Sequence, residues 1–83
     1  MRKMEDSIQQ LLGRAIRKRR MALGLSQEKF ALKIGIDRTY YASVEAGKRN
    51  ISVVNIKKIA DGLEVSLSEL FACAEEDKEQ END

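Results

Sequence analysis

The sequence predicts an all-α fold, a compact bundle of five short helices in a single domain. Three observations indicate this fold. The chain has 83 residues and no proline, which is enough for one domain with one modest core. Apolar residues recur at three- and four-residue spacings, whereas β-branched residues do not gather into the alternating runs typical of strands. A helix-start pattern also recurs along the chain at short intervals.

The first helix is predicted near residues 7–23. One apolar stripe has the spacing of a single helix face, and it consists of Ile8, Leu11, Leu12, Ala15 and Ile16. Asp6 or Ser7 can cap the start of this helix, because either side chain can accept hydrogen bonds from its first free N–H groups. Gly24 supplies a residue that adopts a left-handed conformation after its end.

The next four helices share one start signal, the hydrophobic staple. A capping residue has an apolar residue one position before it and another four positions after it. The four capping residues are Ser26, Asp37, Ser52 and Ser66. Glu69, three residues after Ser66, adds a capping box to the last of them. These signals predict helices near 27–34, 38–46, 53–62 and 67–74.

The composition argues against several classes of function. The chain has no histidine, and Cys73 is its one cysteine, so a zinc site or a histidine-based nucleophile has no residues to build it. A single cysteine permits no internal disulfide and fits a reducing cytosol, so we expect a cytoplasmic protein. No apolar stretch approaches the roughly 18 residues of a membrane span, and the charged first residues do not resemble a signal peptide.

Catalysis, cofactors and small-molecule ligands are not expected. The sequence contains no phosphate-cradling glycine loop and no paired carboxylates on one ordered face, so it offers none of the arrangements that usually carry chemistry. We therefore predict that the protein is not an enzyme, that it uses no cofactor or metal, and that it has no membrane partner.

The net charge of +1 conceals an asymmetry along the chain. Residues 1–74 carry 14 Lys and Arg against 8 Asp and Glu, a net charge of +6, whereas residues 75–83 carry one Lys against six acids, a net charge of −5. We therefore predict a folded domain over 1–74 and a disordered acidic tail over 75–83. A basic body of this kind is typical of proteins that bind nucleic acids.

The stretch Gln27–Ala46 is predicted to form two helices joined by a tight turn. Its apolar positions would bury the inner faces of both helices, and they are Phe30, Ile34, Ile36, Tyr41 and Val44. Ala31 falls where the two helices would cross closely, and Gly35 falls in the turn, where a positive φ costs it little. A short turn with a glycine holds two such helices near 90–120°. The second helix can then enter a DNA major groove, which is about 12 Å wide.

Residues 11–71 resemble the Cro and lambdoid-repressor class of helix-turn-helix transcriptional regulators, the XRE-like proteins. The resemblance is carried by Leu-Gly-Leu-Ser-Gln-Glu at 23–28, Gly-Ile-Asp-Arg-Thr-Tyr at 35–40 and Val-Glu-Ala-Gly-Lys-Arg-Asn at 44–50. Within that class, the Asp-Arg-Thr-Tyr start of the third helix in so short a chain resembles the controller proteins of restriction–modification systems. The resemblance implies a homodimer that binds a palindromic operator on double-stranded DNA, and a controller would also bind its own promoter.

The resemblance also implies roles for individual residues. Arg38, Thr39 and Ser43 would read bases, and Tyr40 projects beside them. The residues implied to contact phosphates are Gln27, Lys48, Arg49 and Asn50. Arg20 and Glu45 occupy positions that form an ion pair in this class. Tyr41 stands on the inward stripe, so we interpret it as a core residue.

A dimer would form at the end of the domain away from the third helix. The candidate residues for this surface are Val54, Leu67, Leu70 and Phe71, with Cys73 nearby. Some of them must instead build the core of the monomer.

Bound beside a promoter, the protein would repress transcription where it blocks RNA polymerase and activate transcription where it offers the polymerase a contact. The alternative is a protein-interaction module such as an antitoxin, which an exposed Leu32 and the acidic tail favour slightly.

Overall fold

The computed structural model, which describes residues 6–76, confirms the all-α prediction. Five helices follow one another along the chain: α1 (Ile8–Ala22), α2 (Gln27–Ile34), α3 (Arg38–Glu45), α4 (Val53–Leu63) and α5 (Leu67–Glu76). No strand is present in this range. The largest difference from the prediction is at α5, which continues to Glu76 and so includes the first two residues of the predicted acidic tail. The prediction of disorder for 77–83 lies outside the described residues.

The helices begin at the predicted capping residues. Ser7, not Asp6, caps α1: its hydroxyl accepts a hydrogen bond from the Gln10 N–H, and the Gln10 side chain accepts one from the Ser7 N–H. Asp6 instead pairs with Arg14 at 2.6 Å. At α5, Ser66 and Glu69 form the predicted capping box through two reciprocal hydrogen bonds. The helix boundaries therefore follow from local signals that are present in the sequence.

The core lies among the five helices. Helix α1 packs against α3, α4 and α5, and α2 packs against α3 and α4. The largest fully buried side chains are Ile16, Phe30, Tyr41, Ile59 and Leu70. The Phe30 and Tyr41 rings pack in a tilted arrangement with their centroids 5.3 Å apart, which joins α2 to α3 across the turn between them. Tyr41 is thus a core residue, as predicted.

The turn between α2 and α3 contains the predicted glycine in a left-handed conformation. Gly35 ends α2 in the left-handed conformation, with φ at 72°, where a side chain would introduce strain. The Ile36 N–H then donates to the Ala31 carbonyl at 3.0 Å, which reverses the chain. Ala31 itself is buried. The turn therefore places α3 against α2 within three residues.

A second close approach, between α1 and the end of α3, was not predicted. A Cβ atom at Gly13 would lie 2.5 Å from the Glu45 carbonyl oxygen and 2.6 Å from that of Val44. Because these are backbone atoms, they cannot move aside as a flexible side chain would. The absence of a side chain at Gly13 therefore allows α3 to pack closely against α1.

No helix in the described part of the chain is both long and apolar enough to cross a membrane.

Candidate nucleic-acid interface

The first turn of α3 presents an unoccupied polar edge. Asp37 caps the helix by accepting a hydrogen bond from the Tyr40 N–H. The two residues that follow it, Arg38 and Thr39, are exposed, and within residues 6–76 their side chains have no hydrogen-bond or ion-pair partner. Tyr41 and Val44 on the opposite face are buried. This edge is therefore free to contact another molecule without disturbing the core.

The loop after α3 places further polar and cationic groups next to that edge. Lys48, Arg49 and Asn50 are all exposed. The Lys48 N–H donates to the Ser43 carbonyl at 3.0 Å, and the Gly47 N–H donates to the Val44 carbonyl at 3.0 Å, so the loop is tied to the last turn of α3. The predicted base-reading and phosphate-contacting residues consequently border one another.

Four residues on this surface form a connected group, which we call the Tyr40 cluster: Tyr40, Ser43, Arg49 and Asn55. The Arg49 Nε donates to the Ser43 hydroxyl at 2.9 Å, and the Arg49 guanidinium carbon lies 5.0 Å from the centroid of the Tyr40 ring. The Ser43 hydroxyl donates to the Tyr40 carbonyl at 2.6 Å. The Asn55 side-chain amide donates to the Tyr40 hydroxyl at 3.3 Å. The cluster thus links α3, the loop after it and the first turn of α4.

The sequence analysis did not identify Asn55. It lies three residues after the capping residue Ser52, where its backbone N–H donates to the Ser52 hydroxyl. Nothing in the local pattern indicates its contact with Tyr40, because that contact depends on how α4 is placed relative to α3. The contact between Asn55 and Tyr40 can therefore be identified only from the tertiary structure.

Behind the exposed edge, the predicted ion pair between Arg20 and Glu45 is present and buried. The Arg20 Nε and Nη2 donate to the two Glu45 oxygens at 2.7 and 3.0 Å, and its Nη1 donates to the Leu25 carbonyl at 2.8 Å. Glu45 also accepts hydrogen bonds from the Tyr41 hydroxyl and the Gln27 amide. We call this group the Glu45 network. It connects α1, α2 and α3 on the inner side of the exposed α3 edge.

The Glu45 carboxylate remains ionised in this environment. Burial alone would raise its pKa, but the hydrogen bonds from Arg20, Tyr41 and Gln27 outweigh burial and lower the pKa below the usual value for glutamate. Burial and the hydrogen bond to Glu45 raise the pKa of Tyr41, so its phenol keeps its proton. The hydrogen bond to Glu45 raises the pKa of Arg20. The network is therefore a charged pair, and within residues 6–76 no fully buried side-chain nitrogen or oxygen lacks a hydrogen-bond partner.

Gln27, predicted to contact a phosphate, lies at the start of α2 and is half-buried. Its amide donates one hydrogen to Glu45 at 2.9 Å. Because an amide nitrogen carries two hydrogens, one remains for a second acceptor. The structure thus leaves the predicted phosphate contact open, with Gln27 held in place by the network beneath it.

The candidate dimer residues separate into two groups. Leu70 is 0% exposed, so it is one of the candidates that build the monomer core and does not belong to the dimer surface. Leu70 is buried because it is the apolar residue of the staple at the start of α5.

The other candidate dimer residues are accessible: Val54 is 67% exposed, and Leu67 and Phe71 are partly exposed. Val53 and Ile8 are also exposed apolar residues, and neither was predicted to belong to the dimer surface. Cys73 is a free, half-buried thiol.

In the described range 6–76, no group of three or more Asp, Glu, Cys or His residues is arranged to hold an ion. The arrangement of this surface is instead suited to contacts with phosphates and base edges, since its free groups are hydrogen-bond donors and cations.

Comparison with known proteins identifies the family to which the chain belongs. The helix-turn-helix family model HTH_3 matches residues 16–70, which includes α2, the turn and α3. The control protein C.MunI from a Mycoplasma species is 58% identical over 53 residues, a match that covers 64% of this chain and 72% of that protein.

Solved structures of similar proteins have the same fold. The restriction–modification controller protein C.AhdI from Aeromonas hydrophila is 46% identical, with a TM-score of 0.73, and the match covers 76% of this chain and 96% of that one. The controller protein C.Esp1396I, solved as a tetramer in complex with its natural 35 base-pair operator, is 31% identical with a TM-score of 0.80. That match covers 89% of this chain and 97% of the other.

Proposed function

This chain belongs to the HTH_3 family of helix-turn-helix proteins, and we propose that it is a sequence-specific DNA-binding regulator of transcription. The resemblance to XRE-like regulators and to restriction–modification controllers is confirmed by the relatives it matches. The observation that carries the proposal is the free Arg38 and Thr39 edge of α3, bordered by the exposed loop residues after the helix. We assign no catalytic residue.

In this proposal α3 enters the major groove of duplex DNA. Arg38 has a planar fork of donors that matches O6 and N7 of guanine, and Thr39 can meet a base edge or a thymine methyl group. Lys48, Arg49 and Asn50 contact phosphates and thereby set the register of α3 on the DNA. Gln27 supplies a further phosphate contact at the N-terminus of α2, where the free N–H groups also favour an anion.

We further propose that the protein acts as a homodimer on a pseudo-palindromic operator. A few side chains on one helix inspect few base pairs, so two half-sites about 34 Å apart, one helical turn, would supply the missing specificity. The accessible apolar residues Val54, Leu67 and Phe71, together with Val53, form the proposed dimer surface. C.Esp1396I, which is similar to this chain, assembles as a tetramer on its operator.

The regulated genes are proposed from the same relatives. C.MunI is a control protein and C.AhdI is a restriction–modification controller. We infer that this chain controls restriction–modification genes and binds its own promoter, where RNA polymerase is the expected protein partner.

A second candidate function is binding to another protein, as an antitoxin binds its toxin. Leu32 on α2 favours it: this side chain is 81% exposed, and it lies beside Arg38 on the same shallow surface. The two functions differ in their response to salt, because each phosphate contact contributes about −0.9 to the slope of log affinity against log salt. A shallow slope on duplex DNA would favour the protein-binding alternative.

Replacing Arg38 with alanine is expected to weaken binding to the preferred duplex by about 1–3 kcal/mol and to relax the base preference at one position. Competition binding on a duplex library with randomised positions measures both effects. The matched control is Lys48→Ala, which removes a proposed phosphate contact. It should weaken all sequences about equally and reduce the salt slope by roughly one. If the Arg38→Ala protein kept the wild-type base preference, Arg38 would not be a base reader.

A further inference from the structure

We propose that Ser43 is a positioning residue: together with Tyr40 it holds Arg49 in the conformation that contacts DNA, and it does not itself read a base. This inference rests on the proposed DNA-binding function and assigns separate roles within the same surface. It departs from the sequence-based prediction, which placed Ser43 among the base readers with Arg38 and Thr39.

The hydrogen-bonding capacity of Ser43 is the first argument. A hydroxyl has one hydrogen to donate and two lone pairs to accept with. The hydrogen is donated to the Tyr40 carbonyl at 2.6 Å, and one lone pair accepts from the Arg49 Nε at 2.9 Å. Ser43 is also only partly exposed. It therefore has no donor left for a base, and one of its two lone pairs is already used.

The orientation of Arg49 is the second argument. Its Nε is engaged by Ser43, and its guanidinium lies over the Tyr40 ring with the carbon 5.0 Å from the ring centroid, within the range of a cation–π interaction. Within residues 6–76 the two terminal Nη atoms have no partner. These atoms form the end of the guanidinium fork, which matches the oxygens of a phosphate. The contacts thus use one side of Arg49 and leave the phosphate-binding end free.

The anchoring of Tyr40 is the third argument. The Asn55 amide in α4 donates to the Tyr40 hydroxyl at 3.3 Å, and the Tyr40 carbonyl accepts from Ser43. The ring under Arg49 is therefore held at its hydroxyl by α4, while the backbone of Tyr40 lies in α3. An exposed arginine on a loop would otherwise lose considerable rotamer freedom on binding. The Tyr40 cluster orders that side chain before DNA arrives, so less entropy is lost in the complex.

A double-mutant cycle tests this inference. Affinity is measured for the wild type, Ser43→Ala, Arg49→Ala and the double variant on two labelled probes. One probe is a random-sequence duplex, and the other is the preferred duplex recovered from a randomised library. Arg49→Ala is expected to weaken binding to both by roughly ten- to hundredfold, as for loss of a charged hydrogen bond. Ser43→Ala should weaken both by roughly three- to tenfold, the effect of ordering one long side chain.

The decisive result concerns the double variant. If Ser43 acts only through Arg49, then Ser43→Ala has no effect when Arg49 is already alanine, so the two effects are not additive. The base preference of Ser43→Ala should also match that of the wild type, and Ser43→Thr, which keeps the hydroxyl, should retain most of the affinity. Additive effects would overturn the inference, because Ser43 would then act independently of Arg49. A changed base preference would also overturn it and would restore Ser43 as a base reader.

The same experiment separates this inference from the proposed function. If the wild type bound neither probe, or if Arg49→Ala left affinity for both probes unchanged, the proposed DNA interface would be wrong. If Arg49→Ala weakened binding but Ser43→Ala did not, the interface would stand and the positioning role would be excluded. Melting curves of the variants show whether each one is folded, and Asn55→Ala provides a second variant. It should weaken binding only when Arg49 is present.

Discussion

Replacing Glu45 with alanine is expected to lower the free energy of unfolding by about 3–5 kcal/mol. The change removes the carboxylate that accepts hydrogen bonds from Arg20, Tyr41 and Gln27. Arg20 is buried, so its charge would be left without a counter-ion in a poorly solvated position. An effect of this size approaches the whole stability of a small domain. Urea denaturation followed by circular dichroism at neutral pH measures it.

The matched variant Glu45→Gln keeps the shape of the side chain and separates packing from charge. Because the pKa of Glu45 is lower in the folded protein than in the unfolded chain, its stabilising contribution is fully present above the unfolded-state pKa, about 4.3. That contribution is lost as the pH falls through the lower folded-state pKa. The wild type should therefore lose this part of its stability as the pH falls below the unfolded-state pKa and through the lower folded-state one, and Glu45→Gln should not. If the free energy of unfolding fell equally in both proteins as the pH was lowered, Glu45 would not make this contribution.

Replacing Gly13 with alanine is expected to lower the free energy of unfolding by about 3 kcal/mol, the upper end of the usual range for overpacking. The new Cβ would lie 2.5 Å from the Glu45 carbonyl oxygen and 2.9 Å from the carbonyl carbon. The steric clash can be relieved only if α1 and α3 move apart, and this movement also disturbs the Glu45 network. Helix propensity alone predicts the opposite sign, because alanine in place of glycine within a helix ordinarily stabilises by about 0.5–1 kcal/mol.

The control for Gly13→Ala is Lys18→Ala, a substitution on the exposed face of the same helix. It should change stability by no more than about 0.5 kcal/mol. Thermal or urea unfolding of both variants measures the change in the free energy of unfolding relative to the wild type. If Gly13→Ala were as stable as the wild type or more stable, then the close seating of α3 on α1 would be incorrect.

The helices could be predicted from the sequence because their start signals are local. The staples and capping residues at Ser26, Asp37, Ser52 and Ser66 depend only on neighbouring residues, and each helix begins where they indicate. The burial of Leu70 could have been predicted in the same way, since the staple that locates α5 also packs its fourth residue. Assigning Leu70 to a dimer surface conflicted with that signal.

The remaining features depend on how distant helices are placed. The approach of Gly13 to Glu45 and the contact between Asn55 and Tyr40 join residues that are far apart in the chain. No spacing or periodicity reports such contacts. Ser43 was predicted to read bases because it lies one turn from Thr39 on α3. Its engagement by Arg49 becomes visible only once the loop after α3 is in place.

The proposed function requires that the exposed edge of α3 contacts DNA. Mapping of backbone amide chemical shifts by NMR, during titration with the duplex selected from a randomised library, tests it most directly. The account predicts that the largest changes fall on Arg38 to Ser43 and on Lys48 to Asn50, with little change in the second half of α4. Changes concentrated on the exposed apolar residues of α4 and α5, with α3 unaffected, would contradict it.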